Sequence, residues 1–452
     1  MDHMIYWQQM SWGTVLLNFL PFGLLLVLIA ILPFISFTAG WWEKMGNKFM
    51  TAAVCAASGV FLYLHPTGDV SKIFQTYLDY LSFMVLMGAF FTASGGIHIS
   101  GAFAGLPYIN TLFLGFGGIL ASLLGTTGAS MVLIRPLLRA NQLRRHKSHV
   151  VVFFIFIVSN CGGILMPLGN PPLFLGFLRG VPFLWTFRLI TEWSLTILIL
   201  LFIFHLIDDK IFDGEETHIR GSLIQAIQEA ERPIHIEGWS NVFYLLAIML
   251  IALGSSYWLN PWLDAHWASQ AETASKLFQI ILMSLLAYLS YKTTAPTIHG
   301  ENQFSFGPMV EVGVLFFGIF GAMIPSLAIL EAKGPTIALT HPWQFFWASG
   351  ILSSFLDNAP TYLSYAVLAA GQNGINPNHL GDLAARFPNL LAAISCGASF
   401  MGANTYIGNG PNFMVRAIAE QARVKMPSFG GYMLWSGAVL IPVFILITFI
   451  FF

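Results

Sequence analysis

A break rich in glycine and proline occurs twice inside long apolar segments of this chain. The first reads SNCGGILMPLGNPP at 159–172, and the second reads GANTYIGNGP at 402–411. When the two stretches are aligned at an offset of 239 residues, two glycines, one asparagine and one proline are identical in both. Glycine and proline leave backbone amides and carbonyls unpaired, which a membrane interior tolerates only where protein, water or an ion satisfies them. Paired breaks at matching places in two halves indicate the central binding site of a secondary transporter.

The composition of the chain excludes a water-soluble globule. Of its 452 residues, 56% are hydrophobic and 9% are charged, whereas soluble domains carry about 25% charged residues. Repeated apolar runs of about 20 residues have the length of a helix that crosses a bilayer. We therefore predict an all-α polytopic membrane protein in contact with the lipid bilayer. The predicted spans are 14–36, 49–65, 77–97, 149–178, 183–207, 239–258, 275–291, 307–330, 387–416 and 429–452.

Two further apolar regions, about 110–137 and 342–369, are interrupted near the middle by GTTGAS and by LDNAP. If both regions are re-entrant hairpins, most lysines and arginines of the loops fall on one face, which the positive-inside rule makes cytoplasmic. If just one were a full span, the basic residues after the second break would lie opposite the basic cluster at 138–148. Two hairpins therefore fit the charge pattern better than one.

With two hairpins, the chain divides into two halves of five spans and one hairpin each. Because five is odd, the second half is inserted upside down, which is an inverted-topology repeat. The first repeat covers 1–207 and contains the broken helix 149–178. A cytoplasmic linker covers 208–238, and the second repeat covers 239–452 with the broken helix 387–416. We expect a cell inner (cytoplasmic) membrane location with both termini outside the cytoplasm.

Asp357 lies at the break of the second hairpin, between apolar residues. An ionisable side chain inside a membrane is costly and is a functional candidate by default. A carboxylate there can carry a proton in one state and hold an alkali cation in another. The Asp-Asn-Ala-Pro sequence is also a good helix start, so an N-cap at Asp357 is the alternative, and the two roles are compatible. Glu311 is a second candidate proton carrier, with an interfacial position near a membrane end as the alternative.

Neutral oxygen donors cluster near the breaks in both halves. Hard cations such as Na⁺ are held by amide, hydroxyl and backbone carbonyl oxygens, and unwound helices supply the last of these. One polar side chain alone more often joins helices than binds a ligand, so the clustering is what indicates an ion site. Besides Asp357, the candidate ligands are Thr126, Thr127, Ser159, Asn160, Asn170, Asn358, Ser399, Asn404, Thr405 and Asn409. We expect Asp357, Asn160 and Asn404 to bind Na⁺ as the transported ion, and we expect no cofactor.

These stretches resemble those of the ion transporter superfamily of elevator-type carriers. The similarity rests on residues 125–137, 160–172 and 311–320, on Asp357 with Asn358, and on the glycines of the second break. Within that superfamily the chain is similar to the D-type sodium/proton antiporters and to the family called putative citrate transporters. The resemblance implies a scaffold domain and a transport domain in each protomer, with the hairpins and broken helices in the mobile part. It also implies a homodimer.

One difference from the dicarboxylate carriers of the same superfamily favours a cation. Those carriers place Ser-Asn-Thr at both hairpin tips, whereas the tips here read Thr-Thr-Gly-Ala and Asp-Asn-Ala-Pro. A fixed carboxylate would repel an anionic substrate. We therefore predict a sodium/proton antiporter that exchanges Na⁺ (or Li⁺) for H⁺ by alternating access.

Two other functions stay open at this point. The first is a proton- or metal-coupled carrier of citrate or another small anion. The remote one is an intramembrane enzyme, for which the sequence offers no His-Glu-x-x-His motif. We expect a transporter and not an enzyme, and we find no long basic run that would indicate a nucleic-acid partner.

Overall fold

The fold is almost entirely helical. The computed structural model describes residues 2–100, 105–215, 235–259, 262–263, 266, 271–302, 304–333, 336 and 339–452. Helices make up 82% of the described residues. Seven of the described helices are long and apolar enough to cross a membrane, and a pair bent by 47° within 309–330 makes an eighth span if it counts as one. The predicted all-α polytopic membrane protein is therefore confirmed.

The first half begins with five helices that precede a short strand. These elements are α1 (Asp2–Gln9), α2 (Trp12–Ile31), α3 (Ser36–Trp42), α4 (Met45–Thr67), α5 (Val70–Gly95) and β1 (His98–Ser100). The second part of this half contains the first hairpin and the first broken helix. Its elements are α6 (Pro107–Leu124), α7 (Thr126–Ala140), α8 (Ser148–Ile157), α9 (Pro171–Leu178) and α10 (Ile190–Asp213).

The second half also contains a hairpin and a broken helix, but its strand comes before its helices. It begins with β2 (His235–Glu237), α11 (Trp239–Gly254), α12 (Ala271–Thr293), α13 (Pro296–Glu301), α14 (Gly307–Ala322) and α15 (Ile324–Lys333). It continues with the second hairpin and the second broken helix. These elements are α16 (Pro342–Ser353), α17 (Asn358–Gln372), α18 (Leu380–Arg386), α19 (Pro388–Phe400), α20 (Gly410–Gln421) and α21 (Phe429–Phe451).

Each hairpin folds back so that its outer ends meet. At the base of the first, Asn110 and Asn141 exchange two side-chain hydrogen bonds of 2.8 and 3.0 Å. The turn between α6 and α7 is made by Gly125, whose φ of +80° suits glycine. In the second hairpin, Pro342 and Asn373 line one cleft, which places the start of α16 beside the end of α17. With 18 residues, α6 also meets the length of a membrane span by itself.

The two broken helices occupy the centre of the protein. Every residue from Val150 to Val158 in the first is at most 1% exposed. The second is buried in the same way from Leu391 to Ala403. A helix that is apolar on all sides lies either in a protein core or against lipid, and its burial shows that other helices surround it here. The breaks therefore lie in the interior, and no surface loop separates them from the packed helices.

A further group of helices packs through small residues. Gly59 of α4 lies against Ala322, where an added Cβ would come within 2.6 Å of the Cα. Gly318 of α14 lies against Ala52, and an added Cβ would stand 2.6 Å from the Cβ of that alanine. α5 packs on α14 as well. Glycine and alanine at these positions let the helix backbones approach closely.

A short antiparallel ladder connects the two halves. β1 and β2 pair with His98 opposite Glu237, so the end of α5 lies beside the start of α11. Three residues are too few to show the alternation of apolar and polar residues that predicts a strand. Sequence reasoning therefore did not predict this ladder. Most of the predicted linker, residues 216–234, lies outside the described residues.

Candidate functional site

The two broken helices end and restart in matching ways. The first helix of each pair stops at Ile157 and at Phe400. The chain then runs through 3-10 turns before α9 and α20 begin. The residue before each restart has nearly the same extended backbone, with φ −146° and ψ 131° at Asn170 and φ −153° and ψ 140° at Asn409. The repeated sequence pattern thus has a repeated local structure.

Glycine pairs allow each break to fold onto itself. An added Cβ on Gly163 would lie 2.8 Å from the carbonyl oxygen of Gly169. An added Cβ on Gly408 would lie 2.6 Å from the carbonyl oxygen of Gly402. Contacts this short exclude a side chain, because neither neighbour is flexible. The residues of the sequence repeat are therefore the ones that make the unwound conformation possible.

The hairpin tips contact the breaks. Asn358 Nδ2, at the start of α17, donates a hydrogen bond of 3.1 Å to Oδ1 of Asn170 in the first break. In the second break, Asn404 Nδ2 donates to the hydroxyl of Ser354 at 2.9 Å. The hydroxyl of Thr405 donates to the carbonyl of the same serine. The second hairpin is thereby joined to both breaks.

A network of asparagines also joins the two breaks to each other. Asn409 Nδ2 donates to the carbonyl of Ser159 at 2.9 Å and to Oδ1 of Asn160 at 3.1 Å. Asn160 Nδ2 donates in turn to Oδ1 of Asn412 at 2.7 Å and to the carbonyl of Ile155 at 2.8 Å. Residues about 250 positions apart in the sequence thus form one continuous polar contact.

Several buried polar atoms at this place have no hydrogen-bond partner among the described residues. They are the side-chain oxygens of Thr126, Asn358, Ser399 and Asn404, together with the Nδ2 of Asn170. Buried polar groups in proteins are nearly always paired, so these unpaired atoms mark positions where an ion or an ordered water can bind. Hard cations take neutral oxygen ligands of this kind, and none of these five side chains carries a positive charge.

Three remaining candidates have different surroundings. Asp357 is half-buried, and its carboxylate accepts a hydrogen bond of 3.1 Å from the amide of Ala359, as an N-cap does. Thr127 is half-buried at the tip of the first hairpin. The hydroxyl of Ser159 shares a hydrogen bond of 2.8 Å with the hydroxyl of Ser130 in α7. Asp357 therefore has the capping role, while its carriage of a proton stays a prediction.

Glu311 lies away from this cluster. Its carboxylate forms an ion pair with Lys48, which joins the start of α14 to the start of α4. Lys48 is 7% exposed, so the pair is partly buried. Nine of the twelve predicted site residues therefore lie in the breaks, hydrogen-bond to them or carry an unpaired side-chain atom. Asp357 and Thr127 lie at the two hairpin tips, and Glu311 is set apart.

Sequence reasoning missed two residues of the network. Asn412 donates to the carbonyls of Gly402 and Thr405, at 2.8 and 2.9 Å, and accepts from Asn160. Ser354, before the second hairpin tip, accepts from the second break. Asn412 stands within the Gly-Asn-Gly-Pro-Asn stretch, so a polar residue so near the break was an available signal.

Comparisons with known proteins place the chain in a transporter family. None of the curated proteins compared with the chain matches it. A family model described as "Putative citrate transport" matches residues 11–452, which is nearly the whole chain. Its match includes both hairpins, both broken helices and every residue of the asparagine network. The protein belongs to this putative citrate transport family.

Proposed function

We propose that this chain is a secondary transporter that binds Na⁺ (or Li⁺) at the paired breaks and exchanges it for protons. The observation that carries the proposal is the group of unpartnered, buried oxygens on Thr126, Asn358, Ser399 and Asn404. Leaving a buried acceptor unsatisfied costs about 1–3 kcal/mol, and a bound cation would supply the missing partner. A carboxylate substrate would meet no cationic side chain in this group, although the hydroxyls of Thr126 and Ser399 and the Nδ2 of Asn170 can donate to it.

Asp357 is the proton carrier in this proposal. It directly precedes Asn358, whose oxygen is one of the unpartnered acceptors. The cap bond from the Ala359 amide involves one carboxylate oxygen, which leaves the other able to accept a proton or a cation. Because a nearby cation favours the ionised carboxylate and burial favours the neutral acid, the two ligands compete. Competition of this kind couples the movement of sodium to that of protons.

The hydrogen bonds around the breaks support a single moving unit. The asparagine network joins the two breaks, and the Asn358–Asn170 bond adds the second hairpin. The small-residue contacts of α4 with α14 lie elsewhere and form a separate packed group. We infer that the hairpins and broken helices move together against α2, α4 and α14, in the manner of an elevator-type carrier.

A second candidate is favoured by the family description. A proton- or metal-coupled carrier of citrate or another small anion fits the name of the matching family. In that case the cation at the breaks would be the coupling ion, and the anion would have to approach it closely. The carboxylates of the anion would then coordinate the bound cation. The cation would take the place of a positively charged side chain at this site.

One reconstitution experiment separates the two candidates. Purified protein is placed in liposomes with a pH-sensitive dye inside, and sodium, lithium, potassium and citrate are offered in turn. The proposal expects a proton flux with sodium or lithium, in the absence of citrate. Uptake of labelled citrate, together with no cation-driven pH change in its absence, would overturn the proposal in favour of the anion carrier.

A further inference from the structure

The backbone carbonyls at the start of the second break already have hydrogen-bond donors. In residues 402–405, the first and the last carbonyl accept from Nδ2 of Asn412 at 2.8 and 2.9 Å. The two carbonyls between them accept from the hydroxyls of Tyr432 and Ser436 in α21, at 2.8 and 2.7 Å. Unwound helices in transporters commonly offer such carbonyls to an ion. Here side chains of the protein already satisfy all four.

The side chains of the same stretch offer one free oxygen. The hydroxyl of Thr405 donates to the carbonyl of Ser354 and accepts from the amide of Gly408 at 3.1 Å. Asn404 Nδ2 donates to the hydroxyl of Ser354 at 2.9 Å. The Oδ1 of Asn404 is buried and has no hydrogen-bond partner among the described residues. It is therefore the one oxygen of this stretch that is left for a ligand.

Ser354 determines which end of the Asn404 amide stays free. The side chain of Ser354 is buried, and its hydroxyl donates its single proton to the carbonyl of Gly350 at 2.9 Å. The hydroxyl oxygen can then only accept, so Asn404 has to present its NH₂ group to it. With the amide reversed, the serine proton would have to leave Gly350 and the NH₂ group would lose this acceptor. The observed orientation makes two hydrogen bonds where the reversed one makes a single bond.

We propose that Ser354 is a positioning residue, which holds the Asn404 amide with its oxygen toward the bound cation. The inference rests on the proposed function, in which this oxygen is one of the ligands of the cation. It adds that the stretch 402–405 contributes to the ion site through one side chain and not through its carbonyls. A hard cation binds an amide oxygen, whereas the NH₂ group of the same amide is a donor and cannot bind it.

Ser354→Ala removes the hydroxyl and little else. The carbonyl that accepts from Thr405 belongs to the backbone, so that hydrogen bond can be kept. Without an acceptor for its NH₂ group, the Asn404 amide populates both orientations, and only one of them presents an oxygen to the cation. The Kd for sodium should therefore rise about twofold or more, because the binding-competent fraction falls to about half or less. Equilibrium binding of radioactive sodium to the purified full-length protein measures the Kd.

Ser353→Ala is the matched control, because Ser353 is the neighbouring residue and is fully buried. Its hydroxyl donates to the carbonyl of Ala398 at 2.6 Å and not to Asn404. The variant loses a buried hydrogen bond, so its Tm should fall while its Kd for sodium stays at the wild-type value. The comparison separates the orientation of the amide from a general loss of packing or hydrogen bonding at this tip.

Asn404→Asp supplies a second readout that a merely structural serine would not change. The carboxylate has an oxygen at both ends, so its orientation no longer matters for the cation. In this background, and in alkaline buffer where the new carboxyl is ionised, Ser354→Ala should leave the Kd for sodium unchanged. A serine that acts only on folding or packing would raise the Kd by the same factor in both backgrounds.

The outcomes distinguish this inference from the function on which it rests. A wild-type Kd in Ser354→Ala, or an equal rise in the Asn404 and Asp backgrounds, would overturn the positioning role and leave sodium/proton exchange in place. A rise confined to the asparagine background would support it. If the wild-type protein bound neither sodium nor lithium, the proposed function would fail and the positioning role would fail with it.

Discussion

Asn160 in the first half of the chain donates a hydrogen bond of 2.7 Å to the side-chain oxygen of Asn412 in the second half. The oxygen of Asn160 accepts from Asn409, which also belongs to the second half. Asn160 thus uses both ends of its amide to join the two breaks. Its buried position leaves no water to replace these partners, so the contact acts as a structural joint as well as a part of the candidate ion site.

Removal of this joint should cost stability. Asn160→Ala leaves the Asn412 oxygen without its donor and removes one of the two acceptors of the Asn409 amide. An unsatisfied buried group costs about 1–3 kcal/mol. We expect a lower Tm of the purified protein in the absence of sodium, in addition to a raised apparent KM for the ion. An unchanged Tm in Asn160→Ala would show that the hydrogen bonds of Asn160 do not stabilise the protein. Asn160 would then be an ion ligand alone.

Ser399 offers the opposite test, because its buried hydroxyl has no hydrogen-bond partner among the described residues. Ser399→Ala removes an unpaired polar group, so the Tm without sodium should stay the same or rise. The increase in Tm on adding saturating sodium should shrink, by about 1.4 kcal/mol of stabilisation for each tenfold loss of affinity. Ser395→Ala, one turn earlier on the same helix, removes a hydroxyl that bonds the Leu391 carbonyl and should leave the sodium response intact. An unchanged sodium response in Ser399→Ala would exclude that hydroxyl as a ligand.

Asp357→Asn should abolish exchange without unfolding the protein. Asparagine caps a helix as well as aspartate does, so the bond from the Ala359 amide can be kept. The variant cannot take up a proton, and its sodium affinity should therefore be independent of pH, whereas wild-type affinity should rise with pH. Sodium-dependent pH change in liposomes and sodium binding at several pH values measure the two effects.

Glu311→Gln is the control for Asp357→Asn. It leaves the buried Lys48 without its ion-pair partner, which should lower the Tm but should leave sodium/proton coupling in place. If Asp357→Asn exchanged ions at a wild-type rate and Glu311→Gln did not, Glu311 and not Asp357 would be the proton carrier.

The sequence predicted the breaks well because their cause is local. Glycine and proline at fixed positions stop a helix wherever it lies, and the close contact of Gly163 with Gly169 is made within one break. The N-cap at Asp357 was likewise readable from four consecutive residues. The all-helical fold class and the positions of the long helices also follow from the apolar runs, because the length of each run is read directly from the sequence.

The partners across the molecule could not be read in the same way. The sequence gives Glu311 a charge, but its ion pair with Lys48 depends on how α14 packs against α4. The pairing of Asn412 with Asn160 depends on the meeting of two breaks that are far apart in the chain. The buried ion pair of Arg144 with Asp208 forms only because the loop after the first hairpin and the end of α10 converge. Such contacts are set by tertiary packing, which local patterns do not encode.

The inverted repeat can be tested by cysteine labelling at exposed positions. Asn141 is 2% exposed and bonded to Asn110, so the neighbouring Gln142 is the better site. We expect Gln142→Cys and Ala422→Cys to be labelled from the cytoplasmic face by an impermeant maleimide, and Ala385→Cys from the opposite face. The three native cysteines are buried and need not be replaced. Labelling of the first two positions from opposite faces would exclude the predicted topology.

The contact between α4 and α14 should be intolerant of a single added methyl group. In Gly318→Ala the new Cβ would stand 2.6 Å from the Cβ and 2.7 Å from the Cα of Ala52, so the two helices would have to separate. Overpacking of this kind costs about 1–3 kcal/mol. Gly437→Ala is the matched control, because the same methyl group in the interior of α21 meets nothing within 4 Å. It should gain about 0.5–1 kcal/mol from helix propensity. Thermal unfolding of both variants in detergent measures the difference, and an equal Tm for the two would show that α4 and α14 are packed less closely than these distances indicate.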